Sequence, residues 1–416
     1  MSEKGYHKDF FSANIVLMKI SGIWSFLNRD KTTRHLHVTI TLIFIFFLQI
    51  ITSCDETYLL KYVYHRLDLL IPHIGIMLTH FLGNIKIFIF FMNREKIVKL
   101  MDEVEDSRFN YNFPPEIDGY KIAQGNKMVA RGAILFFLGI STGVALSRVI
   151  PILTYTVWKL DTYNITCEEI FPFLLRTPFP TTSTLGCVGA INYINVIIIA
   201  YAYQMICCDV MYVTCLICLK SHMSILKKGF ETIRIRCLRE LNLKLDSREH
   251  LNDSDIKQLV DMMNFEMKKF TLHLQSIIKN IQIIEEIYNK IILLQVLTVG
   301  FMMVCCLYMM STVGMFSTTF VAQFIYLFAL TTQVTLYCWF GNEITVAGSE
   351  IPTSIYQGDW LSTTTGFKRS MMINMLRLNR DIHLTVGKFS PLTIATLVSI
   401  FRGSYSYFAV LRNVEN

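Results

Sequence analysis

Apolar runs alternate with charged stretches along the whole chain and predict seven membrane-crossing helices, each of which needs about 20 apolar residues. The first, residues 36–54, holds no Lys, Arg, Asp or Glu. The second, 68–92, is interrupted by Lys86, which is expected to snorkel from the inner end of the span. The third and fourth are 132–157 and 185–219. Between Lys290 and Glu343 no charged residue occurs; the stretch is too long for one crossing and predicts two helices turned near 314–318. The seventh is 389–411.

Between the spans the pattern stays helical. From Ile256 the apolar residues Val260, Met263, Met267, Phe270, Leu274, Ile277, Ile281, Ile284, Tyr288 and Ile291 alternate in steps of four and three, which is one seam on one helix face. That helix runs into the fifth span as a rod of roughly 60 residues, about 90 Å at 1.5 Å per residue. Ile225, Ile233, Leu238 and Leu241 extend the fourth span in the same way. Phe367, Met371, Met375, Leu378 and Ile382 mark a shorter amphipathic helix ahead of the seventh span, and residues 15–24 another, expected to lie on the membrane.

Composition agrees: 52% of the 416 residues are hydrophobic and 17% charged, which is a membrane protein's balance. The net charge of +7 invites a nucleic-acid reading, but the basic residues flank the spans and serve orientation instead. They crowd into residues 1–35, the 93–131 connection, 220–290 and 341–388, whereas the intervening connections offer few. The N-terminus is therefore expected inside, with no cleavable signal pattern in 1–34, and the C-terminus outside. The sequon at Asn164, usable only on the extracytoplasmic side, agrees. Cys54, Cys167 and Cys187 fall at or near the outer loops, where a disulfide could form. Cys215 and Cys218 have zinc-like spacing but no second pair and no nearby histidine set, so no metal or other cofactor is expected.

The seventh span carries Arg402 in mid-segment, flanked by Ser404, Tyr405, Ser406 and Tyr407. A cation at that depth is costly against lipid. Either Arg402 finds a buried carbonyl or carboxylate partner, or the helix lines water; the rest of the chain favours the second.

Several motifs then resemble one family. Ser-Tyr-Ser-Tyr-Phe-Ala-Val-Leu-Arg at 404–412 is similar to the closing motif of insect odorant receptors. So are Phe-Ser-Pro-Leu-Thr at 389–393, Tyr-Cys-Trp-Phe-Gly-Asn-Glu at 337–343 and Tyr-Gln-Gly-Asp-Trp at 356–360. The resemblance implies an all-α fold of seven transmembrane helices, cytoplasmic N-terminus and extracellular C-terminus, with long cytoplasmic helical extensions. It divides the chain into an N-terminal segment 1–35, helices one to four in 36–219, an inter-subunit anchor 220–290, helices five and six in 291–340, an amphipathic segment 341–388 and a pore helix with its tail in 389–416. It also implies a non-selective cation channel in the plasma membrane of sensory neurons, a hetero-tetramer with an odorant co-receptor, gated by a small apolar volatile ligand. The 220–290 stretch lacks the co-receptor's insertion, so the chain looks like a tuning subunit.

The resemblance places the ligand among helices two to six in the outer half. Candidate contacts are His73, Met77, His80 and Phe81; Ser147 and Arg148; Tyr193 and Val196, with Asn192 and Tyr203; and Phe320, Phe324 and Tyr326. Without a carboxylate or Cys partner, His73 and His80 read as buried polar residues rather than metal ligands. Val410 and Val414, at i and i+4, take the family's hydrophobic constriction, with Asn413 and Tyr407 beside them. Rival readings are a gustatory-type channel of the same superfamily and a metabotropic seven-helix receptor, whose N-terminus would lie outside. A transporter would show internal repeats, and no enzyme signature such as His-Glu-x-x-His, Gly-x-Ser-x-Gly or a P-loop is present.

Overall fold

The predicted seams and spans can be followed in a computed structural model that describes residues 6–24, 40, 49–65, 67–114, 117–158, 176–180, 183–243, 256–315, 317–361 and 363–415. In chain order these form α1 (Ser12–Ile20), α2 (Ile51–Val63), α3 (Leu67–Met92), α4 (Arg94–Glu105), α5 (Gly119–Trp158), α6 (Thr184–Glu231), α7 (Ile233–Glu240), α8 (Lys257–Thr312), α9 (Thr318–Gln357) and α10 (Thr365–Leu378). A short antiparallel pair, β1 (Thr385–Val386) with β2 (Ser390–Pro391), then leads to α11 (Ile394–Glu415). Among the described residues six helices, α3, α5, α6, α8, α9 and α11, are long and apolar enough to cross a membrane. The chain is an all-α, multi-pass membrane protein. The expected first span lies largely outside the described residues; what is described there is α2, which runs past Cys54 to Val63 and takes in Asp55 and Glu56.

The long rods exist because their apolar seams continue beyond the membrane. On α8 every seam residue from Met263 to Ile291 is buried, each contributing about 1.5–3 kcal/mol on leaving water. The seam packs on α6 and α7, with Phe230 and Phe270 at 4.7 Å between ring centroids. Arg236 of α7 and Glu266 of α8 add a buried ion pair at 2.7 Å. The Arg236 guanidinium lies over the rings of Tyr111, Phe113 and Phe270. On α10, Phe367, Met371 and Leu378 are likewise buried, and the Thr364 hydroxyl caps the helix by accepting from the Phe367 N–H. The N-terminal amphipathic helix differs from expectation. Its Leu17 and Met18 face is buried in protein and Asn14 donates to Thr214 of α6 at 3.1 Å, so only the Val16 and Ile20 face is left open.

The last helix is aimed by its approach. The Thr385 N–H and hydroxyl both donate to Glu285 of α8, fixing the β1–β2 pair to that rod. Gly341 of α9 sits against Leu392, just ahead of α11: a Cβ there would lie 2.7 Å from the Leu392 carbonyl oxygen, which backbone cannot easily yield. Gly341→Ala is expected to cost about 1–3 kcal/mol as an overpacking change. Gly366→Ala, with open space around its position, should be neutral. Thermal unfolding of both variants checks this, and equal melting temperatures would mean the approach is not tight.

Along α11, Ser404 is buried and donates to the Gly300 carbonyl of α8 at 3.2 Å. The rest of the helix is little covered. Only 6% of its apolar window is buried, against 50% for α8.

Candidate functional site

Helices α3, α5, α6 and α9 line an open cavity of about 140 Å³. Its wall is built by spacing: Phe137, Ile140, Ser141 and Val144 from α5, Ala202, Met205, Ile206 and Asp209 from α6, and Tyr326, Ala329, Leu330 and Gln333 from α9. Steps of three and four keep each set on one helix face. The lining is mostly apolar, and among its polar members two hydrogen-bonded features stand out. Thr79 of α3, which donates to the Gly75 carbonyl, meets the Tyr326 hydroxyl at 2.7 Å. The second feature is the Asp209 carboxylate. Pockets for drug-sized molecules run to roughly 300–1,000 Å³, so this space suits a much smaller, largely apolar guest held by dispersion and a few hydrogen bonds.

Asp209 is 2% exposed and Lys86 of α3 is fully buried, and they pair at 2.7 Å. Lys86 therefore does not snorkel: it points into the bundle. The Tyr337 hydroxyl and the Gln333 amide also donate to Asp209, so the carboxylate is satisfied from α3 and α9 together. Gln333 in turn accepts from the Gln295 amide of α8 at 2.9 Å. A polar chain thus runs from the cavity wall into the helix that carries Gly300, where α11 is attached. The sequence held the signal, since Asp209 is the only acidic residue within 185–219 and Lys86 the only basic residue within 68–92. An intramembrane charge of each sign asks for a partner.

His73 and His80 are tied to one residue. Glu56 of α2, itself fully buried, gives its backbone carbonyl to His73 Nε2 at 2.8 Å and its carboxylate to His80 Nδ1 at 2.6 Å. A carboxylate partner does exist, beyond the end expected for the first span. His80 stacks on Tyr201 at 4.0 Å, and the Tyr201 hydroxyl donates to the Gln49 carbonyl at 2.7 Å. This cluster joins α2, α3 and α6.

Of the thirteen expected ligand contacts, Tyr326 lines the cavity and the other described ones do not. Phe81, Val196 and Phe324 lie on the outer surface of the bundle at 55%, 54% and 54% exposure. Met77 and Phe320 are half-buried, and half-buried Tyr193 packs edge-on against Phe179 at 6.3 Å. The side chains of Ser147, Arg148 and Val414 lie outside the described residues, as does Asn164. Of the exit residues, Tyr407 is 72% and Val410 60% exposed, and Asn413 is exposed as well. Arg402 is exposed rather than held at a buried partner. Cys54 is a free, exposed thiol; Cys187 is disulfide-bonded to a partner outside the described residues.

With this geometry in place, the chain can be set beside known proteins. A family model described as 7tm Odorant receptor matches residues 67–405. Odorant receptor 10 of Aedes albopictus is 25% identical over 142 residues, which is 34% of this chain and 38% of that protein. Odorant receptor 63a of Drosophila melanogaster is 31% identical over 99 residues, 24% of each chain. Putative odorant receptor 92a of the same fly is 21% identical over 341 residues, 80% of this chain and 76% of that one. The chain thus spans well under half the length of the first curated relatives it matches. Among solved structures, the insect olfactory receptor OR5 from Machilis hrabei covers 98% of this chain and 100% of its own at a TM-score of 0.74 and 16% identity. A second structure of that receptor, in complex with eugenol, matches equally well. At that identity the likeness is one of fold.

Proposed function

The chain belongs to the 7tm odorant receptor family, and from that premise we propose that it is the odorant-tuning subunit of a ligand-gated, non-selective cation channel. Membership places it among receptors rather than enzymes. Its ligand is a small apolar volatile, seated in the cavity between α3, α5, α6 and α9. A structural neighbour whose structure holds eugenol supports a guest of that size class.

One observation carries the channel reading. The final helix presents Arg402, Tyr405, Ser406, Tyr407 and Val410 on surface the rest of the chain leaves uncovered. Arginine, serine and tyrosine hydroxyls are poor company for lipid, so that face meets other subunits around an aqueous path. We place the N-terminus and the extensions of α6 and α8 in the cytoplasm and Asn416 outside, in the plasma membrane of a sensory neuron. The partner is the family's co-receptor, in a hetero-tetramer. The segments 1–35, 220–290 and 341–388 then form the inner platform, and 389–416 the pore.

Energetics limit how such a gate opens. Moving a gate from 1:99 to 99:1 needs about 5.5 kcal/mol of differential affinity. Micromolar binding supplies about 8 kcal/mol in total. Most of it must be specific to the open state, which favours cooperation among subunits. The polar chain from Asp209 through Gln333 and Gln295 to α8 is the physical link that carries cavity occupancy to α11.

The test is recording of cation currents against an odorant panel, in cells expressing the chain with and without the co-receptor. Current that needs both chains and an odorant supports the reading; no conductance in any combination defeats it. Within the same assay, Val410→Ala is expected to raise ligand-free current severalfold, because a smaller apolar ring dewets less readily. An unchanged baseline and unchanged ion selectivity would remove Val410 from the gate.

A further inference from the structure

Cys218 and His222 stand four residues apart on α6, so they project one above the other from a single helix face. The segment ahead of α1 brings His7 against them. The His7 and His222 rings stack at 3.8 Å between centroids. One ligand-capable atom from each of His7, Cys218 and His222 lies within 4.8 Å of the other two. All three side chains are buried, and Cys218 is a free thiol.

The surroundings fix how the imidazoles point. His222 Nε2 lies 2.8 Å from the Val104 carbonyl, which can only accept, so that nitrogen carries the proton and Nδ1 keeps its lone pair. That lone pair lies 2.9 Å from His273 Nε2 and accepts its N–H, while His273 Nδ1 is 2.9 Å from the Tyr111 hydroxyl; a metal on His222 Nδ1 takes the place of this bond. A ring N–H held by a backbone carbonyl is how proteins orient a metal-binding histidine. His7 Nε2 meets the Ser221 hydroxyl at 2.9 Å, and in either tautomer one of its ring nitrogens keeps a lone pair.

We propose that His7, Cys218 and His222 form a zinc(II) site that staples the N-terminal segment to α6. Two imidazoles and one thiolate are a borderline-soft donor set, which suits zinc over magnesium or calcium. Once zinc displaces its bond to His222, His273 can carry its proton on Nδ1, toward the Tyr111 hydroxyl, and offer Nε2 as a fourth ligand. Tetrahedral zinc sets its ligand atoms roughly 3.4–3.6 Å apart, from bonds of about 2.0–2.3 Å. The three ligand atoms, within 4.8 Å of one another, therefore draw together on binding. On binding, the Cys218 S–H bond breaks and an S–Zn bond forms. One proton leaves to solvent, so affinity rises with pH. Sequence alone set Cys215 and Cys218 aside for want of histidines; the fold supplies one from the same helix and one from about 210 residues upstream.

The experiment uses the full-length chain solubilised from cell membranes, stripped with a chelator and titrated with cobalt(II), then zinc(II). The expected result is one cobalt per chain with a thiolate-to-cobalt charge-transfer band that zinc abolishes, and a higher unfolding temperature with zinc. Cys218→Ser should remove the band and weaken zinc binding at least tenfold, while Cys215→Ser, a turn earlier on α6, keeps both. Should Cys218→Ser fail to fold, His7→Gln, which alters only the N-terminal segment, should show the same tenfold loss. Absence of the band in the wild-type chain, or a band and affinity unchanged in Cys218→Ser and His7→Gln, overturns the site.

Discussion

Asp209→Ala is expected to lose about 3–5 kcal/mol of folding stability, the usual cost of removing one partner from a buried ion pair. The change strands the ammonium of Lys86, which is fully buried, and strips the Tyr337 hydroxyl and the Gln333 amide of their acceptor. Surface delivery should fall with it, since a loss of this size exceeds what most point substitutions cause. The control is charge removal on both sides. Lys86→Met with Asp209→Leu leaves no buried ion, and replacing a buried pair by apolar residues of similar volume is often neutral. The double variant should recover most of the loss, short of full recovery because Gln333 and Tyr337 remain without their acceptor. Thermal unfolding of the solubilised chain and surface labelling measure both. If Asp209→Ala melts with the wild type, Lys86 and Asp209 do not hold α3 to α6.

Ala202→Phe should abolish odorant responses, or shift them at least tenfold, with surface delivery retained. Ala202 lies on the cavity face of α6, and a phenyl ring there takes up most of a 140 Å³ space. A tenfold shift corresponds to about 1.4 kcal/mol of ligand binding. Val196→Phe, on the same helix, separates the two accounts of the pocket. Sequence reading put Val196 against the ligand; the structure leaves it 54% exposed on the outer surface. Its response should match the wild type. Dose–response recordings with the co-receptor decide, and the reverse result would restore the sequence-based pocket.

The sites were harder to read than the fold because a residue's helix is a local property and its neighbours are not. Phe81 and Phe324 satisfied the expectation for a ligand wall, being large and apolar at the right depth. Phe137, which does line the cavity, was not singled out. In a transmembrane helix, lipid and core both want apolar residues, so apolarity stops reporting which face is buried. Polar residues still report. Asp209, Lys86, Glu56 and His222 each carry a charged or hydrogen-bonding group, and each meets a partner well removed along the chain, although none of these pairings was anticipated.

Sequence by itself determined the helices: apolar length set the spans, and the four-three step of α8 predicted its buried seam from Met263 to Ile291, while Val260 stays half-buried beside buried Leu259. It also placed the family, through the motifs ending at Arg412. Only the tertiary structure decided which charges meet, where the cavity opens, that His7 stands beside Cys218, and that α11 is left with an uncovered face. Periodicity is written into one segment and read along it, whereas a contact between segments is settled by the packing of every helix at once.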